Sequence, residues 1–304
     1  MAPLQFMSLT IGLFTRKLTW ENQKVLVALI KKGCDVLTIS PEEIRFEISD
    51  GIKARLEDYD LTNLSGVYNR LDVTPDLGMP YHSFQAIKYI DKAGVPIVNS
   101  PASIARAHNK FNTFAALMGG GIRLPRTILA QDVVQAESIL NRSELPLVIK
   151  PVFGSWGRDA FLVNDLEEGH YILENLSERG WFHESGILIQ RYIDNPGRDI
   201  RALVVEDRVV AAMYRYAPRG EWRTNISLGG RGEPCKITPE IEELAVRSLE
   251  LIGGEIMGVD LMESKEGLFV LEVNGSADFR GLTRATGVDV KEIIADYLIK
   301  TFKR

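Results

Sequence analysis

The amino-acid sequence predicts a mixed architecture that combines an α/β unit with α+β units, and three observations indicate it. The chain has 304 residues, which exceeds a single typical core and indicates two or three substructures. Near the N-terminus a strand at 8–14, a helix at 20–32 and a strand at 34–40 follow in the order of a parallel βαβ unit. The C-terminal half instead predicts antiparallel hairpins at 199–216 and 259–274.

Composition and charge narrow the possible classes of function. The net charge of −5 argues against a nucleic-acid-binding protein, which would usually be basic. The longest apolar runs are too short to span a membrane, and the N-terminus has no basic leader typical of secretion. Cys34 and Cys235 lack Cys-x-x-Cys spacing and are typical of buried thiols in a reducing compartment. We therefore expect a cytoplasmic protein with no nucleic-acid partner and no membrane partner.

The order of elements between the two halves suggests where the domains divide. Strands at 66–70 and 94–99 are expected to continue the first sheet, and a helix at 103–118 follows, stopped by three glycines. Further strands are expected at 125–129, 147–151, 160–163 and 186–193, and further helices at 132–140, 166–178, 238–251 and 291–302. The expected domains are 1–103, 104–186 and 187–304.

The hairpin at 259–274 carries the most suggestive set of polar side chains. Glu272 and Asn274 are two residues apart and should project from one strand face. A three-residue loop ending at Gly267, with positive φ, would place Asp260 opposite Glu272, whereas a two-residue loop would separate them. Two carboxylates and an amide oxygen suit Mg²⁺. Alone, the triplet is more typical of a solvated strand end, so the prediction of a metal site depends on the rest of the chain.

Two features of the central region could contact phosphate groups. Lys150 ends a buried strand, where its ammonium could bind a phosphate or simply extend to solvent. The loop at 154–157 (Gly-Ser-Trp-Gly) can bring backbone N–H groups close to phosphate oxygens, although it matches neither standard nucleotide-binding glycine motif. The extended segment 190–193 could offer backbone groups to an adenine edge.

Arginines recur on the polar faces of the predicted C-terminal strands. Asp199 and Arg201 share a strand face, Arg215 lies on the partner strand, and Arg223 and Asn225 are two residues apart. This set suits several negatively charged groups together with a metal ion. A solvated network of ion pairs is the alternative interpretation.

Together these motifs resemble the RimK-type branch of the ATP-grasp ligases, over about residues 100 to 300. The matching segments are 106–110, 148–151, 154–157, 199–201, 213–225, 259–260 and 271–274. The resemblance implies an ATP-grasp fold preceded by an N-terminal α/β (pre-ATP-grasp) domain. It also implies an enzyme that activates a carboxylate with ATP as an acyl phosphate, which an amine then attacks to form an amide.

The resemblance implies a role for each candidate residue. ATP would be bound by Lys110, Lys150, Gly154, Ser155, Gly157, Gln190, Arg191, Tyr192, Ile193 and Asp199. Two Mg²⁺ or Mn²⁺ ions would be held by Asp260, Glu272 and Asn274. The transferred phosphoryl group would face the candidate catalytic residues Arg201, Arg215 and Asn225. Charge and position suggest Arg70, Arg280 and Arg284 as the groups that bind substrate carboxylates.

The resemblance is less specific about the acceptor. The segment Asp278-Phe279-Arg280 departs from the Pro-Gly-Leu-Glu of ligases that modify a ribosomal protein. The chain looks more similar to members that add L-glutamate to an acidic pterin or deazaflavin coenzyme. Alternatives are a ligase acting on a small acidic carrier protein in lysine or arginine biosynthesis, protein glutamylation, and an inactive nucleotide-binding module. A homo-oligomer, dimeric or tetrameric, is expected from the family.

Overall fold

The computed structural model describes residues 8–71 and 81–303. Its N-terminal unit has a four-stranded parallel sheet in the order β2-β1-β6-β7, which confirms the expected βαβ unit. The strands of this unit are β1 (Thr10–Phe14), β2 (Asp35–Ile39), β3 (Ile44–Ile48), β4 (Ile52–Leu56), β5 (Tyr59–Asp60), β6 (Gly66–Asn69) and β7 (Ile97–Val98), and its helices are α1 (Trp20–Lys31) and α2 (Tyr81–Lys92).

Local sequence explains where α1 begins and which face of it is buried. It does not predict the small sheet that follows α1 in the chain. The side chain of Thr19 caps α1 by accepting the Asn22 N–H. The buried face of this helix includes Val25, Ala28 and Leu29. Strands β3, β4 and β5 form a separate antiparallel sheet in which charged residues alternate with apolar ones. These strands are short and half-exposed, so their hydrophobic pattern is weak.

The central unit is a four-stranded antiparallel sheet in the order β10-β9-β11-β8, packed against helices through its own apolar cluster. Its elements, with the two helices that precede it, are α3 (Pro101–His108), α4 (Lys110–Gly119), β8 (Thr127–Ala130), α5 (Val133–Leu140), β9 (Leu147–Pro151), β10 (Phe161–Val163), α6 (Leu166–Ser177), α7 (Gly180–Ser185) and β11 (Ile187–Arg191). β11, which follows the proposed boundary at 186/187, is hydrogen-bonded into this sheet.

The single helix expected at 103–118 is wrong, because the chain breaks it at Asn109. That residue has an extended conformation (φ −90°, ψ 104°), and its side chain accepts the Asn112 N–H as the N-cap of α4. Asparagine is among the preferred N-cap residues, and this cap lies inside an otherwise continuous helical pattern. The break places Lys110 in the first turn of α4, where its backbone N–H donates to Val152 O at 3.1 Å.

The C-terminal unit is a five-stranded antiparallel sheet in the order β14-β13-β12-β15-β16. Its elements are β12 (Arg198–Val205), β13 (Arg208–Tyr216), β14 (Arg231–Pro234), α8 (Pro239–Ile252), β15 (Ile256–Ser264), β16 (Gly267–Asn274), α9 (Arg280–Thr286) and α10 (Val290–Phe302). One sheet face packs against α8, and part of the other shares a core with α1, α9 and α10. The expected hairpin around 206–207 is confirmed.

The loop of the β15–β16 hairpin differs from the expectation, whereas its key pairing does not. Ser264 pairs with Gly267, so the turn has two residues rather than three. A β-bulge then shifts the register by one residue between Leu261 and Asp260, and Asp260 pairs with Glu272 as expected. A bulge adds one residue to one strand, which restores the relation that the two-residue turn would have broken.

The N-terminal sheet is attached to the C-terminal unit by a fully buried asparagine. Asn99 donates from Nδ2 to Ile256 O at 2.8 Å and to Gly275 O at 3.0 Å. Its Oδ1 accepts the N–H groups of Glu255 and Ile256, both at 2.9 Å. These partners lie at the start of β15 and directly after β16, so Asn99 fixes one end of each strand relative to the first domain. Across the described ranges, no helix has the length and apolar character needed to cross a membrane.

Candidate active site

A large cleft lies between the central and C-terminal sheets, with an empty volume of about 950 Å³ including its open mouth. Pockets of this size suit small-molecule substrates and cofactors. The structure brings most of the candidate residues to its wall. They are Lys110, Lys150, Gly154, Ser155, Gly157, Gln190, Arg191, Tyr192, Ile193, Asp199, Arg215, Asn225, Asp260 and Glu272.

Two lysines from different elements converge on the cleft. Lys110 Nζ donates to Gly154 O at 2.7 Å and lies 3.4 Å from Glu272 Oε1. Lys150, on β9, donates from Nζ to Gln190 Oε1 at 2.9 Å. Burial, and then the nearby charge of Lys110, lowers the pKa of Lys150 to about 8. A phosphate group would relieve this destabilisation of the ammonium, so the pair suits an anionic ligand.

Several hydrogen-bonding groups of the segment expected to hold adenine already bond to other residues of the central unit. Gln190 donates from Nε2 to Thr127 Oγ1 at 2.7 Å, so its side chain bridges Thr127 and Lys150. The backbone N–H of Arg191 donates to Arg126 O, and that of Tyr192 donates to Pro146 O. Those two N–H groups are therefore not available to an adenine edge. The binding of adenine by 190–193 stays a prediction.

The glycine loop closes over the cleft in a conformation that needs positive φ angles. Gly154 has φ 143° and Gly157 has φ 70°, and Trp156 between them has φ 62°. Arg223 Nη1 donates to Gly157 O at 2.9 Å, which joins the loop to the C-terminal unit. A Cβ at position 157 would lie 2.7 Å from Asn225 Oδ1. Glycine is thus required at 157 both for its backbone conformation and for this close approach.

Four charged side chains of alternating sign are linked at the C-terminal half of the site; Asp199, Arg215 and Asp260 line the cleft, whereas Arg201 is not part of its wall. Arg215 donates from Nε to Asp199 Oδ1 at 2.7 Å and also contacts Asp199 through Nη2. The same Nη2 lies 2.9 Å from Asp260 Oδ2, and Arg201 donates to both oxygens of Asp260. We call Asp199, Arg215, Asp260 and Arg201 the charge network.

Because the charge network is buried, its charges strongly shift the pKa values of their neighbours. Burial alone would raise the pKa of Asp260, but the guanidinium groups of Arg201 and Arg215 outweigh it and lower the pKa. For Arg215, burial would lower the pKa, and the carboxylates of Asp199 and Asp260 raise it instead. Asp260 and Arg215 therefore both remain charged at neutral pH.

The carboxylates on the cleft wall fit a magnesium ion. Asp260 and Glu272 lie opposite each other on β15 and β16, and both face the cleft. Within 8–71 and 81–303, no group of three or more His, Cys, Asp or Glu side chains could hold a metal. Two carboxylates suffice for Mg²⁺ when substrate phosphates and water complete its coordination. Asn274 is not part of the cleft wall, and its buried Nδ2 has no hydrogen-bond partner among the described residues.

Three arginines predicted to bind substrate carboxylates lie away from the cleft wall. Arg70 is buried and donates from Nε to Asn22 Oδ1 and from Nη1 to Ala277 O, both at 3.0 Å. Arg280 and Arg284 are exposed on α9, one helical turn apart. Their roles toward a substrate stay predictions, and the contacts of Arg70 place it where the first domain meets the segment after β16.

Several wall residues escaped the sequence analysis. In a regular strand Leu271 would project from the face opposite to that of its neighbour Glu272, yet both line the cleft because the bulge interrupts the alternation of β16. Met262 also lines it and could have been inferred, since it lies two residues after Asp260 on the same strand. Trp222 packs edge-on against Tyr192 at 6.5 Å between ring centroids. No local pattern indicated that contact between two distant loops.

Comparison with known proteins agrees with the geometry. Residues 107–298 match the model of the RimK-like ATP-grasp domain. The chain is 31% identical to a tetrahydromethanopterin:alpha-L-glutamate ligase of Methanococcus maripaludis, covering 94% of this chain and 96% of that protein. It is 29% identical to an alpha-aminoadipate–LysW ligase LysX of Sulfurisphaera tokodaii, covering 95% and 96%.

A solved structure supports the same fold. The ATP-grasp ligase PsnB, complexed with a minimal precursor, Mg and ADP, superposes with a TM-score of 0.71 at 22% identity. The alignment covers 97% of this chain and 98% of PsnB. The expected ATP-grasp fold is therefore confirmed.

Proposed function

The chain is an ATP-dependent ligase of the RimK-like ATP-grasp family, and we propose that it adds L-glutamate to an acidic coenzyme. The proposed acceptors are tetrahydromethanopterin and a glutamylated deazaflavin. The observation that carries the proposal is the convergence of lysines, arginines and carboxylates on one cleft. A relative that is named a ligase of this kind aligns with the chain over almost the whole length of both proteins.

Each element of the cleft has a distinct task in the proposed reaction. Lys110 and Lys150 neutralise the phosphates of ATP, and the loop at 154–157 covers them and excludes water. Asp260 and Glu272 would hold Mg²⁺, or Mn²⁺, against the phosphate oxygens, and a second ion would be shared with Asn274. Magnesium supplies neutralisation of the charge that develops on the transferred group.

The reaction proceeds in two displacements. A carboxylate oxygen of the acceptor attacks the γ-phosphorus of ATP, the bond to the bridging oxygen breaks, and ADP leaves. The amine of glutamate then attacks the acyl carbon, phosphate leaves, and the nitrogen loses a proton to give an amide. No protein nucleophile is needed, because positioning and charge neutralisation by Arg201, Arg215 and Asn225 lower both barriers.

A carrier-protein acceptor is the second candidate. The LysX relative has nearly the same identity and coverage as the coenzyme ligase relative, and its name specifies a ligation to LysW. A small acidic carrier protein therefore belongs in any test, as does a protein substrate for glutamylation. The homo-oligomeric state and the domain boundaries 103/104 and 186/187 are also part of the proposal.

The deciding experiment measures ADP release with Mg-ATP, L-glutamate and each acceptor in turn, followed by mass analysis of the product. A tetrahydropterin coenzyme or glutamylated deazaflavin should support glutamate-dependent ADP formation and gain one glutamyl unit. A Lys150→Met variant, which keeps the length of the side chain and removes its charge, should abolish the signal. Turnover only with the acidic carrier protein would overturn the coenzyme assignment in favour of the second candidate.

A further inference from the structure

The small sheet of the first domain, formed by β3, β4 and β5, has an open edge that the cleft does not use. β3 (Ile-Arg-Phe-Glu-Ile, 44–48) pairs with β4 on one side, and no other described strand pairs with its outer side. Across the described residues, its backbone groups form no hydrogen bond to backbone outside this sheet. An open strand edge of this kind can accept a strand from another chain.

The side chains of β3 are arranged symmetrically about its centre. Phe46 lies at the centre, an isoleucine lies at each end, and the two residues between them, Arg45 and Glu47, carry opposite charges. If two copies of this strand pair antiparallel about Phe46, each arginine lies opposite a glutamate. We propose that β3 joins two copies of this chain in this way, about a two-fold axis at Phe46. The proposal assigns a surface to the expected homo-oligomer and does not depend on the ligase reaction.

Charge selects this register over the neighbouring ones. A shift of two residues in one direction would place Arg45 opposite Arg45 of the second copy, and a shift in the other direction would place Glu47 opposite Glu47. Like charges that lie directly opposite each other destabilise a pair of strands. A shift of one residue would set the charged face of one strand beside the apolar face of the other. Only the register centred on Phe46 matches both charge and polarity.

Within one copy, the charged face of the small sheet is not balanced. Arg45 lies directly opposite Arg55 on β4, and it forms no ion pair with a described residue. Glu47 lies 3.7 Å from Lys53, yet its side chain stays 63% exposed and accessible to a second cation. A second copy would place a carboxylate beside Arg45, which is the group that its own sheet does not supply.

The apolar face of β3 also has an uncovered side chain. Phe46 packs edge-on against Tyr89 of α2, with 5.3 Å between the ring centroids, so this face is directed toward the first domain. Ile48 projects from the same face and is 79% exposed, more than any other large apolar side chain that the structure describes. In the proposed pair, Ile44 of the second copy would lie opposite Ile48 and cover part of it.

The proposed pairing would join the two small sheets into one. A two-fold axis perpendicular to the sheet keeps each face on its own side, so the order would be β5-β4-β3-β3-β4-β5. The α2 helices of both copies would then lie on one face, and the charged side chains would lie on the other. The interface is isologous, because the same residues contribute from both copies.

The test changes the two charges and measures self-association of the full chain by sedimentation velocity, from about 1 to about 100 μM. The wild-type protein should be a dimer or a larger even-numbered assembly. Arg45→Glu and Glu47→Arg should each raise the Kd of self-association about tenfold or more, because each substitution places like charges opposite one another. Circular dichroism and urea unfolding check that each variant is folded.

Two recoveries identify the pairing itself. An equimolar mixture of the single variants should form a mixed dimer, because the glutamates of one strand then face the arginines of the other. The double variant Arg45→Glu/Glu47→Arg should associate about as tightly as the wild type, since its charges are exchanged but still complementary. Damage to the structure of one copy would not be reversed by mixing.

An apolar substitution provides a second test if a charge variant does not fold. Ile48→Lys should raise the Kd of self-association about tenfold or more, because it places a charge where Ile44 of the second copy would pack. Val134→Lys is the matched control, since Val134 is 71% exposed on α5 of the central unit. It should leave the Kd unchanged.

Three outcomes would overturn the proposal. They are a wild-type protein that stays monomeric at about 100 μM, a Kd unchanged by both charge variants, and single variants that dissociate but do not associate when mixed. The measurement needs no nucleotide or acceptor. Failure of this interface and failure of the proposed ligase reaction are therefore separate results.

Discussion

The two faces of β12 carry similar residues but differ in how deeply those residues are buried. On one face Asp199 joins the charge network, where its side chain and that of Arg215 are nearly inaccessible to solvent. On the other face the adjacent residue, Arg198, pairs with Glu263 and stacks 3.9 Å from the ring centre of Tyr214. There the side chains of Arg198 and Glu263 are 26% and 29% exposed to solvent.

The difference shows why charge pattern alone could not identify the site. Both faces contain arginines paired with carboxylates across strands, as a surface network would. Only one face is closed over by the central unit, so only its charges lose solvent and act at low effective dielectric. Enclosure by a second unit, rather than the ion pairs themselves, distinguishes the candidate site.

The largest effect should come from removing Arg215. Arg215→Met leaves the carboxylates of Asp199 and Asp260 buried with one cation fewer, which typically costs about 3–5 kcal/mol of unfolding free energy. Turnover should fall about 10³-fold or more, because the charge that we propose to face the phosphoryl group is lost. Denaturant unfolding and ADP release measure the two effects. The matched variant Arg198→Met should retain kcat, and an equal loss in both would contradict the distinction between the faces.

A smaller effect is expected from preventing the loop from closing. Gly157→Ala adds a Cβ that would lie 2.7 Å from Asn225 Oδ1 at a backbone φ of 70°. We expect kcat to fall about 10- to 100-fold, because misplacement of about 1 Å near the reacting groups costs that much. Gly180→Ala is the control, since a Cβ there has no heavy atom within 4 Å. Equal kcat values for the two variants would show that closure at 157 is unimportant.

The pH dependence of nucleotide binding should reveal Lys150. Its pKa is lowered to about 8, so in the free protein it is charged below pH 8 and loses its proton above that value. Affinity for Mg-ADP should therefore be steady below pH 8 and then fall with rising pH, by up to about tenfold per unit. Calorimetric titration from pH 6.5 to 9.5 measures this. Lys150→Arg, which stays charged, should flatten the profile, and an unchanged profile in that variant would assign the titration elsewhere.

The smallest effect is expected on the outer face. Glu263→Gln breaks a partly exposed pair, which typically contributes about 1 kcal/mol or less to the free energy of unfolding. Salt should reduce even that difference, because exposed pairs are screened. Unfolding in urea at low and high ionic strength measures it. A loss comparable with that of Arg215→Met would mean that the outer pair is structurally as important as the charge network.

Residue patterns along the chain were enough to predict the family, the order of most elements and most of the residues that line the cleft. Strand periodicity, caps and glycine stops are local properties, and the motifs keep their order and spacing, so they can be recognised without a structure. The pairing of Asp260 with Glu272 was also predicted, although for a different reason from the one that the hairpin shows.

Which charged side chains contact one another could be learned only from the folded chain. The bulge at Leu271 brings a residue expected on the far face into the cleft, and the cap at Asn109 orients Lys110 toward Gly154. The ion pair between Asp199 and Arg215 depends on strand register, while the burial of both side chains depends on the central unit folding over the sheet. Register and enclosure arise from contacts between residues distant in the chain, and local patterns do not encode them.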